Sequence, residues 1–210
     1  MSFRHPSAIE ASLKALSDDL LRAGGPQIST VRNYNFAILP YPPEDEFALR
    51  QAVHDLAGKL RDAGWTIGSV VLHALLLARL QAEDPKLLES LIAREKSLAG
   101  AADRTRGLRM LKEKMVNLLD RPDGLAADVV REIERVVATS ENPDRTVVFL
   151  GRMGALYPFL RTSSLLKHVA GRTQNVPVVL LYPGRVASET GLSFMGVLPA
   201  DRDYRPRIYR

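Results

Sequence analysis

Four groups of residues have the types and spacing that could do chemistry. Glu44, Asp45 and Glu46 stand in a row after a short apolar run and the prolines Pro42 and Pro43. Three carboxylates together could hold a divalent cation or exchange protons. Acids at a helix start also complement the helix dipole, which is their commoner use. Gly151-Arg152-Met153-Gly154 is the second group. Its glycines permit a tight turn from strand into helix, and Arg152 and Arg161 could face an anion. The plainer alternative is a pair of turn glycines beside solvated arginines. The third group is basic: Arg104, Arg106, Arg109, Lys112 and Lys114 fall on the outward face of a long helix. Such a face could meet nucleic-acid phosphates. Asp103, Glu113 and Asp120 dilute it, and no aromatic residue interleaves to stack on bases. The fourth is the terminal DRDYRPRIYR, with four arginines and two tyrosines in ten residues. Tyr204, Arg205, Arg207 and Tyr209 are residue types favoured in protein–protein hot spots.

Several familiar machines are missing. A phosphate loop of the form G-x-x-x-x-G-K-[ST] surrounds phosphates with backbone N–H groups and one lysine. The first strand here is followed by PYPPEDEF, where prolines lack N–H groups and carboxylates repel phosphate. No G-x-G-x-x-G dinucleotide motif occurs either. His5, His54, His73 and His168 show no metal-ligand spacing. Ser163 and Ser164 lie in a helical pattern rather than in the G-x-S-x-G elbow of a hydrolase. With no cysteine there is neither a disulfide nor a thiolate metal site. No catalytic residue, cofactor or metal is expected.

The elements that must position these groups are organised around 146–183, TVVFLGRMGALYPFLRTSSLLKHVAGRTQNVPVVLLYP. Thr146–Leu150 and Pro177–Tyr182 are uniformly apolar and β-branched, as suits strands buried on both faces. The stretch between them has helical periodicity and is long enough for a crossover. It predicts a β-α-β unit with parallel strands.

Upstream, Ser7 and Glu10 form a capping box before Ile9, Leu13, Leu16 and Leu20, in an N-terminal helix within residues 1–25 that stops at Gly24-Gly25-Pro26. Asn35–Tyr41 reads as the first strand, ended by Pro40, Pro42 and Pro43. The acids then open a helix with Phe47, Val53, Leu56 and Leu60 inward. Gly64 ends that helix, Trp65–Leu72 is the second strand, and His73–Leu80 is the next helix. Residues 84–140 carry only helical patterns and read as a helical insertion. Leu87, Leu88, Leu91 and Ile92 share one face. Leu108, Leu111, Met115 and Leu118 point inward on the basic helix, and Asp123 caps a last helix through Val129, Ile133, Val136 and Val137. Gly184–Gly191 reads as a polar loop and Leu192–Leu198 as an edge strand. The basic tail, 201–210, either adds a final strand at Arg207–Tyr209 or hangs free.

The expectation is therefore one α/β domain over 1–210. Its mostly parallel open sheet is flanked by helices, in a Rossmann-like or P-loop-like topology without a nucleotide loop.

The formal net charge of +5 sets 29 basic against 24 acidic residues, which permits an acidic partner without demanding one. The N-terminus lacks the apolar core of a signal peptide, and no uncharged apolar run approaches the length of a membrane helix. A cytoplasmic protein without membrane contact is expected.

The runs FLGRMGALYPFLRTSSLL, VPVVLLYPG, GLSFMGVLP and YRPRIY, with NFAILPYPPEDEFALRQAVHDLAGKLRDAGW earlier, resemble the BrxB family. The likeness covers nearly the whole chain. It implies a component of a BREX (bacteriophage exclusion) defence system. Such systems also hold an ATPase, BrxC, an adenine methyltransferase, PglX, and an alkaline-phosphatase-like protein, PglZ. The resemblance implies no catalytic residues and a role in binding the other members, PglZ first and BrxC second. Direct contact with DNA or RNA through the basic helix and tail is the alternative.

Overall fold

The computed structural model describes residues 8–28, 35–99, 103, 105–169, 171–188, 191–198 and 206–210. The valine-rich runs pair as expected. β3 (Thr146–Gly151) lies parallel to β4 (Val178–Val186), in register from Val148↔Val178 to Leu150↔Leu180. β1 (Phe36–Tyr41) runs parallel along the other side of β4, and β2 (Thr66–Val71) along the other side of β3. A two-residue β6 (Arg207–Ile208) extends the sheet beside β1, giving the order β2-β3-β4-β1-β6. Among the described strands only β5 (Leu192–Phe194) is antiparallel, folded onto the end of β4. The fold is α/β with a mostly parallel sheet.

Successive side chains of a strand point to opposite faces, so each buried strand must feed two cores. Ala37, Leu39, Tyr41, Val147, Phe149, Val179 and Leu181 meet α1 (Ala8–Leu20) and α2 (Glu46–Asp62) on one face. Phe36, Ile38, Val148, Leu150, Val178, Leu180 and Tyr182 point the other way. They meet α3 (Leu72–Gln81), α5 (Arg106–Leu119), α6 (Leu125–Ala138) and α7 (Thr162–Val169). Each large side chain so buried contributes roughly 1.5–3 kcal/mol, and the central strands do this twice over.

The segment 84–140 divides into unlike parts. α6 belongs to the core: Val129, Val130 and Ile133 are buried, and Val136 sits so close to Gly68 of β2 that an added Cβ would lie 2.7 Å from its Cγ1. Arg79 fastens α3 to the start of α6 by a 2.6 Å bond from Nε to Asp128 and by bonds to the carbonyls of Asp123 and Gly124. α4 (Pro85–Ala99) packs on α5 and buries no described side chain in the core.

Some expectations need correction. Pro40 does not end β1 but pairs with Tyr182 inside it. The carbonyl of Asn35 accepts from Val178 on the β4 side, while that of Ile38 accepts from Tyr209 on the β6 side. Alternation puts the missing N–H of Pro40 on the β6 side, beyond the last residue paired there, so no ladder bond is lost. Phe47 is 79% exposed, and Leu49 takes the inward position instead. Leu108 is exposed, while Met115 and Leu119 are the buried residues of that face. Asp123 does not cap α6; Gly124 occupies that position, and Asp123 pairs with Arg121. Gly184–Val186 is strand rather than loop. It pairs with β5 so closely that a Cβ at Gly184 would fall 2.2 Å from the Ser193 carbonyl oxygen. The edge strand expected over Leu192–Leu198 is strand only to Phe194, before a turn. α1 stops at Leu20, ahead of the glycine pair, and Ser7 lies outside the described residues.

Candidate functional site

Parallel sheets of this kind present their loops at the carboxyl ends of the strands. Here several side chains of that mouth bond to one another. β1 delivers the buried Tyr41, and the prolines after it turn the chain through a 3-10 turn (Pro43–Asp45) into α2. The Tyr41 hydroxyl donates to the Glu46 carboxylate, which also lies 3.3 Å from the Arg152 guanidinium. Burial, and then the hydrogen bond to Glu46, push the Tyr41 phenol far above its ordinary pKa. It is a neutral donor at physiological pH, not a base. Arg152 follows β3 in the left-handed region, at φ 65°. Arg185 at the end of β4 reaches Glu44 at 2.8 Å across solvent. Two of the three carboxylates, Glu46 and Glu44, thus link the β1 loop to Arg152 after β3 and to Arg185 near the end of β4.

The remaining residues singled out in the sequence scatter. Arg161 faces a separate depression of about 450 Å³ between α5, α7 and the 157–161 segment, together with Lys112 and Lys167. The one carboxylate there, Asp120, accepts from the Ser164 hydroxyl. Arg106 is exposed on α5. Arg109 turns back to Asp103 at 3.3 Å. Hydrogen bonds from the Thr105 side chain and backbone hold the Asp103 carboxyl below its ordinary pKa. Arg104, Tyr204 and Arg205 lie outside the described residues. Arg207 and Tyr209 are used internally. The buried Asp19 of α1 accepts from the Tyr209 hydroxyl at 3.0 Å and pairs with Arg207 at 2.6 Å and Arg22 at 3.0 Å. The Arg207 guanidinium also stacks 4.7 Å above the Tyr209 ring. Burial, then Asp19, raise the phenol of Tyr209 as well.

Sequence reasoning missed a cleft of about 520 Å³ that runs from this mouth between α2 and β2, with Phe149 of β3 and Leu181 of β4 also in its lining. Arg50, His54 and Arg61 line it from the helix, Ser69 and Val71 from the strand, with His73 and Arg152 at the upper end. The signal was present in the spacing: positions 50, 54 and 61 are i, i+4 and i+11, one stripe of a helix. What the spacing did not say is which strand that stripe overlooks.

The molecule so defined is an open α/β sheet whose nucleotide-loop position is filled by prolines and internally paired acids. A family model described as BREX protein BrxB matches residues 69–208, two thirds of the chain. The chain belongs to the BrxB family, and this makes it a component of a BREX phage-defence system. Comparisons with curated proteins and with solved structures give no match. Among the described residues no helix is long and apolar enough to cross a membrane.

Proposed function

We propose that this protein is a non-catalytic member of a BREX complex, acting in the cytoplasm by binding other BREX proteins. PglZ is its first partner and BrxC its second, with PglX a third. One observation carries the reading. The α3–α5 segment leaves Leu77, Leu87, Ile92 and Leu108 about half exposed, at 53, 41, 54 and 51%. Large aliphatic side chains exposed on three successive helices, α3, α4 and α5, are the residues a partner would cover. The bonds among Tyr41, Glu46 and Arg152 and between Glu44 and Arg185 also support this reading. Co-purification of the tagged protein with PglZ tests the proposal. A protein that stays alone with each BREX partner at micromolar concentration overturns it.

A second reading, direct nucleic-acid binding, draws support from the Lys112–Arg161–Lys167 depression. Phosphate contact requires affinity for DNA that falls steeply with salt. A flat dependence removes it.

A further inference from the structure

We propose that the cleft between α2 and β2 receives an extended, acidic segment of a partner protein. The segment adds as a strand to the outer edge of β2 and lays its carboxylates along Arg50, His54 and Arg61. This rests on the reading of the protein as a binding component, but does not use the exposed Leu77, Leu87, Ile92 and Leu108.

The edge itself is the first reason. Among the described residues β2 stands at one end of the sheet and pairs with β3 alone. Among the described residues, 66–71 make no backbone hydrogen bond to any segment outside the sheet. Natural edge strands are shielded by charge, proline, bulges or shortness. The opposite edge, β6, is two residues long. β2 has six residues, TIGSVV, with no charge and no proline. A strand so bare calls for a cover.

The walls select the cover. Gly68 and Val70 face α6 and the core beneath it, so Ile67, Ser69 and Val71 look into the cleft. The facing wall is the stripe of α2, with Val53 and Ala57 between the cations. From Arg50 to Arg61 is about 16 Å along the axis at 1.5 Å per residue. That is too long for one phosphate or carboxylate. It matches about five residues of extended chain at 3.3 Å each, nearly the length of β2. Neither Arg50 nor Arg61 has an ion pair among the described residues. The one carboxylate in the lining, Glu46, is held by Tyr41 and Arg152. At the upper end the buried Nδ1 of His73 has no hydrogen-bond partner among the described residues.

A second copy of this chain fits poorly. Two β2 edges paired antiparallel about a two-fold axis would bring the Arg50 end of one α2 towards the Arg61 end of the other, cation against cation.

The test is a titration of the intact, nitrogen-15-labelled protein with an eight-residue peptide alternating glutamate and threonine, read by amide chemical shifts. A lysine–threonine peptide and inorganic phosphate serve as controls. The expected result is shifts concentrated in 66–71 and 50–61, absent with the lysine peptide. Affinity should fall about tenfold or more in the R50E/R61E double variant and in S69E, because like charge now faces the carboxylates. Four results overturn the proposal: no shift at millimolar peptide, equal shifts with the lysine peptide, shifts reproduced by phosphate alone, or β2 broadening with protein concentration before peptide is added. The L87E/I92E variant should leave the titration unchanged. Capture of the peptide without co-purification of any BREX protein would therefore count against the earlier reading and not against this one.

Discussion

Replacing Asp19 with alanine should be among the most damaging single changes away from the sheet. The carboxylate is 3% exposed and has three partners, the Tyr209 hydroxyl, Arg207 and Arg22. Removal leaves a buried phenol without an acceptor. A hydrogen bond to a charged group is worth about 1.5–3 kcal/mol. Breaking a fully buried ion pair costs about 3–5 kcal/mol, but the side chains of Arg207 and Arg22 are 34 and 53% exposed and can rehydrate. Discounting the pairs heavily leaves a loss of about 3 kcal/mol for D19A, and about 1.5 kcal/mol for Y209F, which removes one bond only. At this chain length the larger loss corresponds to a Tm lower by about 6–12 °C. Urea unfolding followed by circular dichroism at neutral pH measures both. If D19A unfolds within about 0.5 kcal/mol of wild type, the range of an ordinary surface change, the C-terminal strand is not latched as described. The same arithmetic bears on truncation. Deleting 206–210 removes β6 and exposes Asp19, so a partner lost on truncation reports a loosened sheet edge before it reports a contact.

Three further outcomes follow from the same geometry. G68A forces a methyl against Val136 and should cost about 1–3 kcal/mol, measured by the same unfolding assay, whereas a neutral result would mean that α6 packs elsewhere. R152A and R152G both lose the partly exposed contact with Glu46, but only the glycine relieves the left-handed backbone. R152G should therefore be the more stable by about 1 kcal/mol, and equal stabilities would contradict the geometry at the end of β3. Tyr41 and Tyr209 are phenols whose folded pKa values are raised. Their stabilisation is fully present below the unfolded value near pH 10 and is lost as pH rises above it, at about 1.4 kcal/mol per pH unit for each. Tyr41 and Tyr209 should accordingly resist ionisation in an ultraviolet titration until the protein unfolds. Six phenols titrating together in the folded protein would refute this.

The parallel core was legible because its strands are buried on both faces and so carry unbroken β-branched runs, such as Val147–Leu150 and Val178–Tyr182. Periodicity placed the helices for the same reason. What it did not reveal were contacts between residues far apart in the chain. Arginine and tyrosine in the tail suit a partner surface and a buried latch equally well. The choice was made by Asp19, 190 residues from Tyr209. The acids after β1 suited capping, metal binding or catalysis, and Arg152 and Arg185 determined their use from two other strands. Phe47 lies within an otherwise inward pattern, yet one turn of helix beside the mouth leaves it in solvent. The stripe of α2 was visible as a stripe, but its meaning depends on β2 lying bare at the sheet edge, a property of strand order.

The central claim, a BREX component that works by touching its neighbours, is tested most directly by co-expressing the tagged protein with PglZ and weighing what is captured. Wild type should retain PglZ through gel filtration, and L87E/I92E, with an unchanged circular dichroism spectrum, should lose it. Wild type eluting alone, or the double variant capturing PglZ as well as wild type does, would contradict the account.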